Sequence, residues 1–150
     1  MNWFNFYGLL SVFIILIPNV IFALKCRDGF VNSWRNKTVE ALEQIGRFGC
    51  FLLMVFNIPG TYLGFWSDSA LSIYLFVNAF LVGLYCLIWA ICFKKSSLAR
   101  AVALSVIPSV LFIFSGIMLR SYPLLIAALV FAPCHILISC KNAQCNKNAQ

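Results

Sequence analysis

One segment of the sequence places acidic, amide and basic side chains at helical spacing. The four residues are Glu40, Glu43, Gln44 and Arg47. Their i, i+3, i+4, i+7 spacing would display them on one face of an α-helix, and Glu43 and Arg47, one turn apart, suit an ion pair. A charged side chain inside an apolar helical segment is costly and usually serves a function. Arg47 is therefore the first candidate for chemistry.

Other apolar segments carry polar side chains at a similar distance from a basic cluster. His135, the only histidine, lies six residues before Lys141, or about 9 Å along a helix. Ser139 follows His135 by one helical turn. We expect these groups to form one polar layer across the helices. The candidate ligand-binding residues are Asn19, Glu43, Arg47, Tyr85, Ser105, His135 and Ser139.

Three functions fit such a layer. In the first, the protein binds or transports a small polar or anionic ligand, with Arg47 holding the ligand and His135 exchanging a proton near neutral pH. In the second, it is an accessory or assembly subunit of a membrane complex, and the polar residues only pack the helices. In the third, it is an intramembrane enzyme that uses His135 with Arg47. The sequence favours the first and assigns no catalytic residue.

The expected site holds no metal or cofactor. Cys134 and His135 are adjacent, so a helix would point them about 100° apart. The chain has no C-x-x-C pair and no nucleotide-binding glycine loop. None of the seven cysteines falls in an expected outer connection, which indicates free thiols.

The composition indicates whether the helices that carry these residues lie in water or in a lipid bilayer. Hydrophobic residues make up 63% of the 150 residues and charged residues only 10%, whereas soluble domains are about a quarter charged. A soluble enzyme, a nucleic-acid-binding domain and a disordered chain are excluded. The partner implied is the lipid bilayer. A homo-oligomer or a membrane partner subunit is a further option, and nucleic acid is not expected.

Five apolar runs approach the roughly 20 residues that cross a bilayer. They are Trp3 to Leu24, Ala41 to Phe56, Ala70 to Phe93, Ala101 to Leu119 and Leu124 to Cys140. Arg120 and Pro123 predict a tight hairpin between the last two. We expect a single all-α domain of five transmembrane helices over residues 1–140 and a disordered polar cytoplasmic tail over 141–150. The alternative is four spans with a re-entrant C-terminal hairpin.

The basic residues between the runs predict the orientation. Nine fall on one side: Lys25, Arg27, Arg35, Lys37, Lys94, Lys95, Arg100, Lys141 and Lys147. Arg120 alone falls on the other. Cytoplasmic loops are enriched in Lys and Arg. We therefore expect a multi-pass protein of the plasma membrane with its N-terminus outside and its C-terminus in the cytoplasm.

Two stretches carry a resemblance. Residues 17–25 (IPNVIFALK) and 36–59 (NKTVEALEQIGRFGCFLLMVFNIP) resemble a group of small bacterial multi-span membrane proteins with no assigned activity. The resemblance implies a bacterial inner membrane and implies no mechanism.

Overall fold

The computed structural model describes residues 3–26, 34–93 and 97–148, with side chains as far as Cys145. Within these ranges the protein is all-α and has five helices. They are α1 (Phe6–Lys25), α2 (Lys37–Val55), α3 (Asp68–Cys92), α4 (Leu98–Met118) and α5 (Tyr122–Asn148). Of the residues used to predict orientation, Arg27, Lys94 and Lys95 lie outside the described residues, as does the Lys147 side chain.

Four of the described helices, α1, α3, α4 and α5, are long and apolar enough to cross a membrane. The exception is α2, which contains Lys37, Glu40, Glu43 and Arg47. α2 nevertheless runs beside the others, since Asn5 N donates to Val55 O (2.8 Å) where α1 begins and α2 ends. The predicted five-helix bundle is confirmed, and its most polar helix is the one that carries the first candidate residues.

Capping side chains start the first four helices. Asn5, Asn36, Ser67 and Ser97 each accept a hydrogen bond from a backbone N–H in the first turn. At α2, Glu40 Oε1 also accepts from Asn36 N (3.2 Å), so cap and helix satisfy each other. These bonds replace partners that the first-turn N–H groups of a helix lack.

The helices run up and down in chain order. Tyr62, between α2 and α3, bridges to Ser121, between α4 and α5. We call this the hairpin end. At the opposite end, Trp34 N donates to Asn142 Oδ1 (2.9 Å). We call this second end the basic end; it holds Lys25, Lys37, Arg100 and Lys141.

A ring of contacts closes the bundle. α1 packs against α2 and α3, α5 packs against α2 and α4, and α3 packs against α4. The closest approach that bears on the candidate site is at Gly46, where an added Cβ would lie 2.8 Å from Phe131 N. α2 and α5 therefore touch backbone to backbone one turn from both Glu43 and His135.

The predicted hairpin between α4 and α5 is confirmed. Arg120 adopts a left-handed conformation (φ 49°) and ends α4. Its N–H donates to Ile117 O (3.0 Å), and Ser121 N donates to Gly116 O (2.9 Å), the pattern of a Schellman cap. The re-entrant alternative does not describe this fold, because α4 and α5 are each long enough to cross.

The C-terminal segment differs from its prediction. α5 continues through Asn148 instead of ending at Cys140, so residues 141–148 are helical and not disordered. The segment contains neither glycine nor proline, and Asn142 is tied to the start of α2. The prediction of disorder rested on polar composition, which does not reveal the contact between Asn142 and Trp34.

Candidate functional site

A buried carboxylate organises the candidate site. The Glu43 side chain is only 3% exposed, and its Oε1 accepts from Arg47 Nε (3.0 Å) and contacts Arg47 Nη2. His135 Nδ1 lies 2.8 Å from the same oxygen, as a protonated Nδ1 would when donating to it. A buried charge is tolerated when it is paired and hydrogen-bonded. Glu43, Arg47 and His135 form what we call the triad.

Helix geometry positions Glu43 and Arg47 of the triad, and helix packing positions His135. Glu43 and Arg47 meet because they lie one turn apart on α2. His135 is 92 residues away and reaches Glu43 because Gly46 lets Phe131 approach α2. The His135 ring stacks on Phe131, with centroids 4.6 Å apart. Phe131 therefore both contacts α2 and fixes the plane of the imidazole.

A second polar pair joins α1 to α3. Asn19 Nδ2 donates to Ile15 O (2.8 Å) and to the Tyr85 hydroxyl (2.8 Å), which lies 3.1 Å from Asn19 Oδ1. Asn19 and Tyr85 thus satisfy each other. Both hydrogen bonds that Arg47 makes within the described residues go to Glu43, so no hydrogen bond from Arg47 links the triad to the Asn19–Tyr85 pair.

One cavity unites most of the predicted site residues. Its volume is about 980 Å³, and all five described helices contribute to its wall. The predicted residues that line it are Asn19, Glu43, Arg47, Tyr85, His135 and Ser139. The convergence is a finding of the structure, and the binding of a ligand there stays a prediction.

Ser105 is the predicted site residue that the cavity leaves out. Its side chain is buried and donates to Val102 O (2.9 Å), and its own carbonyl accepts from Ser109 Oγ (2.7 Å). α4 faces the cavity with Ala101, Leu104, Pro108 and Phe112. Ser105 lies four residues after Ala101 and three before Pro108, so it shares their side of α4, but its short side chain bonds to its own helix backbone and is closed off from the cavity. The sequence predicted its depth along the helix and did not reveal that its hydroxyl is used within α4.

The outer side of α2 is exposed except in its last turn. Phe48 and Leu52 are exposed, but Val55 is buried. Val55 lies in the last turn of α2, where its carbonyl accepts from Asn5 N at the start of α1. The neighbouring chain covers this turn.

Arg100 also lines the cavity, and the sequence indicated only its role in topology. Its Nη1 donates to Cys92 O (3.0 Å) and Phe93 O (3.2 Å) at the end of α3. Its guanidinium lies 5.3 Å from the Phe22 ring centroid and 5.9 Å from that of Trp89. A cation in the first turn of a helix meets the unfavourable end of the helix dipole. This unfavourable position was the sequence signal that Arg100 binds the carbonyl groups at the end of a neighbouring helix.

Trp89 adds a hydrogen-bond donor to the same wall. The residue is 4% exposed and lines the cavity. Its Nε1 is buried and interacts with the Tyr85 hydroxyl, but it makes no hydrogen bond of good geometry within the described residues. A buried donor without an acceptor costs free energy that a ligand oxygen would recover.

The chemistry of the cavity follows from these groups. Guanidinium and indole donors suit an anionic oxygen. A histidine held at Nδ1 by a carboxylate keeps Nε2 for proton exchange. Among the described residues, no group of three or more His, Cys, Asp or Glu side chains could hold a metal ion.

The chain matches no protein-family model, no curated protein and no solved structure. The cavity and its side chains therefore carry the functional argument.

Proposed function

We propose that this protein binds a small anionic ligand in the cavity at the basic end and moves it into or across a bacterial plasma membrane. The observation that carries the proposal is the convergence of the triad on a cavity of about 980 Å³ walled by all five described helices. The basic end faces the cytoplasm in this proposal, with the N-terminus outside, because Lys and Arg concentrate there.

The exposure of Arg47 and His135 supports binding over packing. Polar side chains that only join helices are closed off by the helices they join, as Asn78 and Ser115 are, with a buried hydrogen bond of 3.1 Å. The Arg47 and His135 side chains keep 36% and 20% of their surface accessible beside the cavity. Complete closure of both would have favoured an accessory or assembly subunit.

A melting experiment tests the proposal. The detergent-solubilised protein is heated with acetate, butyrate or inorganic phosphate at constant ionic strength. We expect at least one anion to raise the melting temperature saturably in wild type, and the shift to be lost in Arg47→Gln. Arg35→Gln is the matched control, because Arg35 is exposed at the same end and does not line the cavity.

The outcomes separate clearly. An equal shift in wild type, Arg47→Gln and Arg35→Gln would mean a general salt effect and would overturn the proposal, as would the absence of any shift. If Arg47→Gln does not fold, Arg47→Lys replaces it. Lys keeps the charge but lacks the planar fork of Arg, so a reduced shift is expected.

One observation favours an intramembrane enzyme as the second candidate. The 2.8 Å contact between Glu43 and His135 resembles the carboxylate–imidazole pair that orients a general base. A hydrolase would need a nucleophile, or a bound water, near His135 Nε2. Labelling by a fluorophosphonate probe or a hydrophobic epoxide that disappears in His135→Gln would favour this second function.

A further inference from the structure

The cavity contains two chemical environments. Its end nearest the basic end is lined by charged and amide groups: Lys37, Glu40, Arg100 and Asn142. Its deeper part is lined by rings and aliphatic chains: Ile15, Phe51, Leu104, Phe112 and Phe131. A small, fully hydrated anion would use only the first environment. A ligand that fills both needs an apolar part attached to its charge.

The cavity also opens sideways between α1 and α2. Val20 on α1 and Phe48 on α2 line it and are nevertheless 53% and 60% exposed. Phe48 lies eleven residues beyond Lys37, or about 16 Å along α2 from the basic end. An opening at that depth faces the hydrocarbon of a bilayer if α1 and α2 cross it.

The packing of α1 and α2 explains the gap. The two helices meet tightly near the hairpin end, where Gly8 lies against the Met54 carbonyl and Asn5 N donates to Val55 O (2.8 Å). Nearer the basic end Val20 stays 53% exposed, so α2 does not cover it as it covers Gly8.

The polar environment holds donors without an anionic partner. Arg100 forms no salt bridge with any described acid, and its bonds go to neutral backbone carbonyls. The Trp89 ring centroid lies 5.9 Å from the same guanidinium, and its buried Nε1 has no hydrogen-bond acceptor of good geometry among the described residues. The two groups together offer a positive charge and a neutral donor to one anionic group.

We infer that the ligand is a single-chain amphiphile, with one carboxylate or phosphate group and an acyl chain, that enters from the bilayer between α1 and α2. Its anionic group binds Arg100 and Trp89 Nε1, with Arg47 of the same cavity wall as a second positive charge. Its chain lies against Phe51, Phe112 and Phe131. This inference rests on the proposed function and names the class of the anion. A fatty acid and an alkyl phosphate share the chemistry, so the experiment includes both.

Trp89 supplies the signal for the experiment. Trp3, Trp34 and Trp66 are replaced by Phe, and the full chain is reconstituted in lipid nanodiscs. Bromododecanoate, whose bromine quenches nearby indoles, is then titrated. We expect saturable quenching of Trp89 that dodecanoate and dodecyl phosphate reverse, and that acetate and inorganic phosphate reverse only at concentrations at least 100-fold higher. Arg100→Gln is expected to weaken the apparent affinity at least tenfold.

A matched pair of variants tests the sideways entrance. Ala41 is exposed on α2, lines the cavity and lies two turns from Phe48 on the same face, whereas Ala90 is exposed on α3 and does not line the cavity. Ala41→Phe should slow or abolish saturable quenching, and Ala90→Phe should leave it unchanged.

Three results would overturn the inference. Reversal by acetate or inorganic phosphate as effective as by their alkyl counterparts would show that the chain is not recognised, while leaving the proposed function intact. Quenching that does not saturate would show that bromododecanoate only partitions into the bulk lipid and does not bind the cavity. Equal saturable quenching in Ala41→Phe and Ala90→Phe would show that the ligand does not enter between α1 and α2. The melting experiment judges the proposed function independently of all three.

Discussion

At the scale of single residues, the site depends on one oxygen atom. Glu43 Oε1 is the acceptor for Arg47 on its own helix and for His135 on α5. The other charged lining groups near the basic end can reach water more readily, whereas the Glu43 side chain is 3% exposed. Its partners therefore determine whether its charge is tolerated.

Neutralising this carboxylate should destabilise the bundle. In Glu43→Gln the buried group keeps its size but loses its charge, so both bonds to Arg47 and His135 weaken. We expect a loss of about 1–3 kcal/mol, because Arg47 is partly exposed and recovers some hydration. Thermal melting of the detergent-solubilised protein measures it.

Asp68→Asn is the control for that substitution. It makes the same chemical change at an exposed position in the first turn of α3, where we expect only a few tenths of a kcal/mol from the helix dipole. Equal melting temperatures for the two variants would contradict the central role of Glu43.

At the scale of helices, two close approaches determine the geometry. Gly46 brings α2 onto α5, and Arg120 joins the α4–α5 hairpin to the connection after α2 by donating to Gly64 O and Leu63 O (both 3.0 Å). The first contact positions the triad, and the second holds the far end of the bundle.

A methyl group at Gly46 should separate α2 from α5. The added Cβ would lie within 3.0 Å of Phe131 backbone atoms, which cannot move aside as a flexible side chain can. We expect Gly46→Ala to cost about 1–3 kcal/mol and to reduce anion-induced stabilisation, since Glu43 and His135 move apart.

Gly83 provides the matched control. It lies inside α3 with nothing within 4 Å of an added Cβ. Gly83→Ala should therefore stabilise the protein by about 0.5–1 kcal/mol through helix propensity. If Gly46→Ala melts like Gly83→Ala, the close contact between α2 and α5 is refuted.

Arg120 combines a strained backbone with useful side-chain bonds. Its φ of 49° is unfavourable for any residue except glycine, while its guanidinium binds two carbonyls. Both Arg120→Gly and Arg120→Ala remove the side-chain bonds, but only glycine relieves the strain. We expect the glycine variant to be more stable than the alanine variant by about 1 kcal/mol. A higher melting temperature for Arg120→Ala would contradict this cap.

At the scale of the whole molecule, the up-and-down order puts the basic end and the hairpin end at opposite ends of the bundle, so they would lie on opposite faces of a membrane that the helices cross. Cys145 is an exposed thiol at the basic end, and Ser69 is exposed near the hairpin end. The chain thus offers one native reporter and one conservative site for a second.

Labelling with a membrane-impermeant maleimide tests which end of the bundle faces the outside of the cell. In intact bacterial cells that produce Ser69→Cys, we expect position 69 to be labelled and Cys145 to be labelled only after permeabilisation. The expectation follows from the basic residues on the cytoplasmic side. Mass spectrometry assigns the modified cysteine, and the opposite labelling pattern would reverse the topology.

The sequence alone determines what depends on neighbours along the chain. Apolar runs predicted the helices, Arg120 and Pro123 predicted the hairpin, and i, i+4 spacing predicted the pairing of Glu43 with Arg47. Only the tertiary structure decided which faces meet. It brought His135 to Glu43 across 92 residues, placed Arg100 in the cavity wall and bonded the Ser105 hydroxyl to its own helix, away from the cavity. Helical periodicity is a local property, whereas rotation and close approach depend on contacts such as Gly46 with Phe131, which link distant segments.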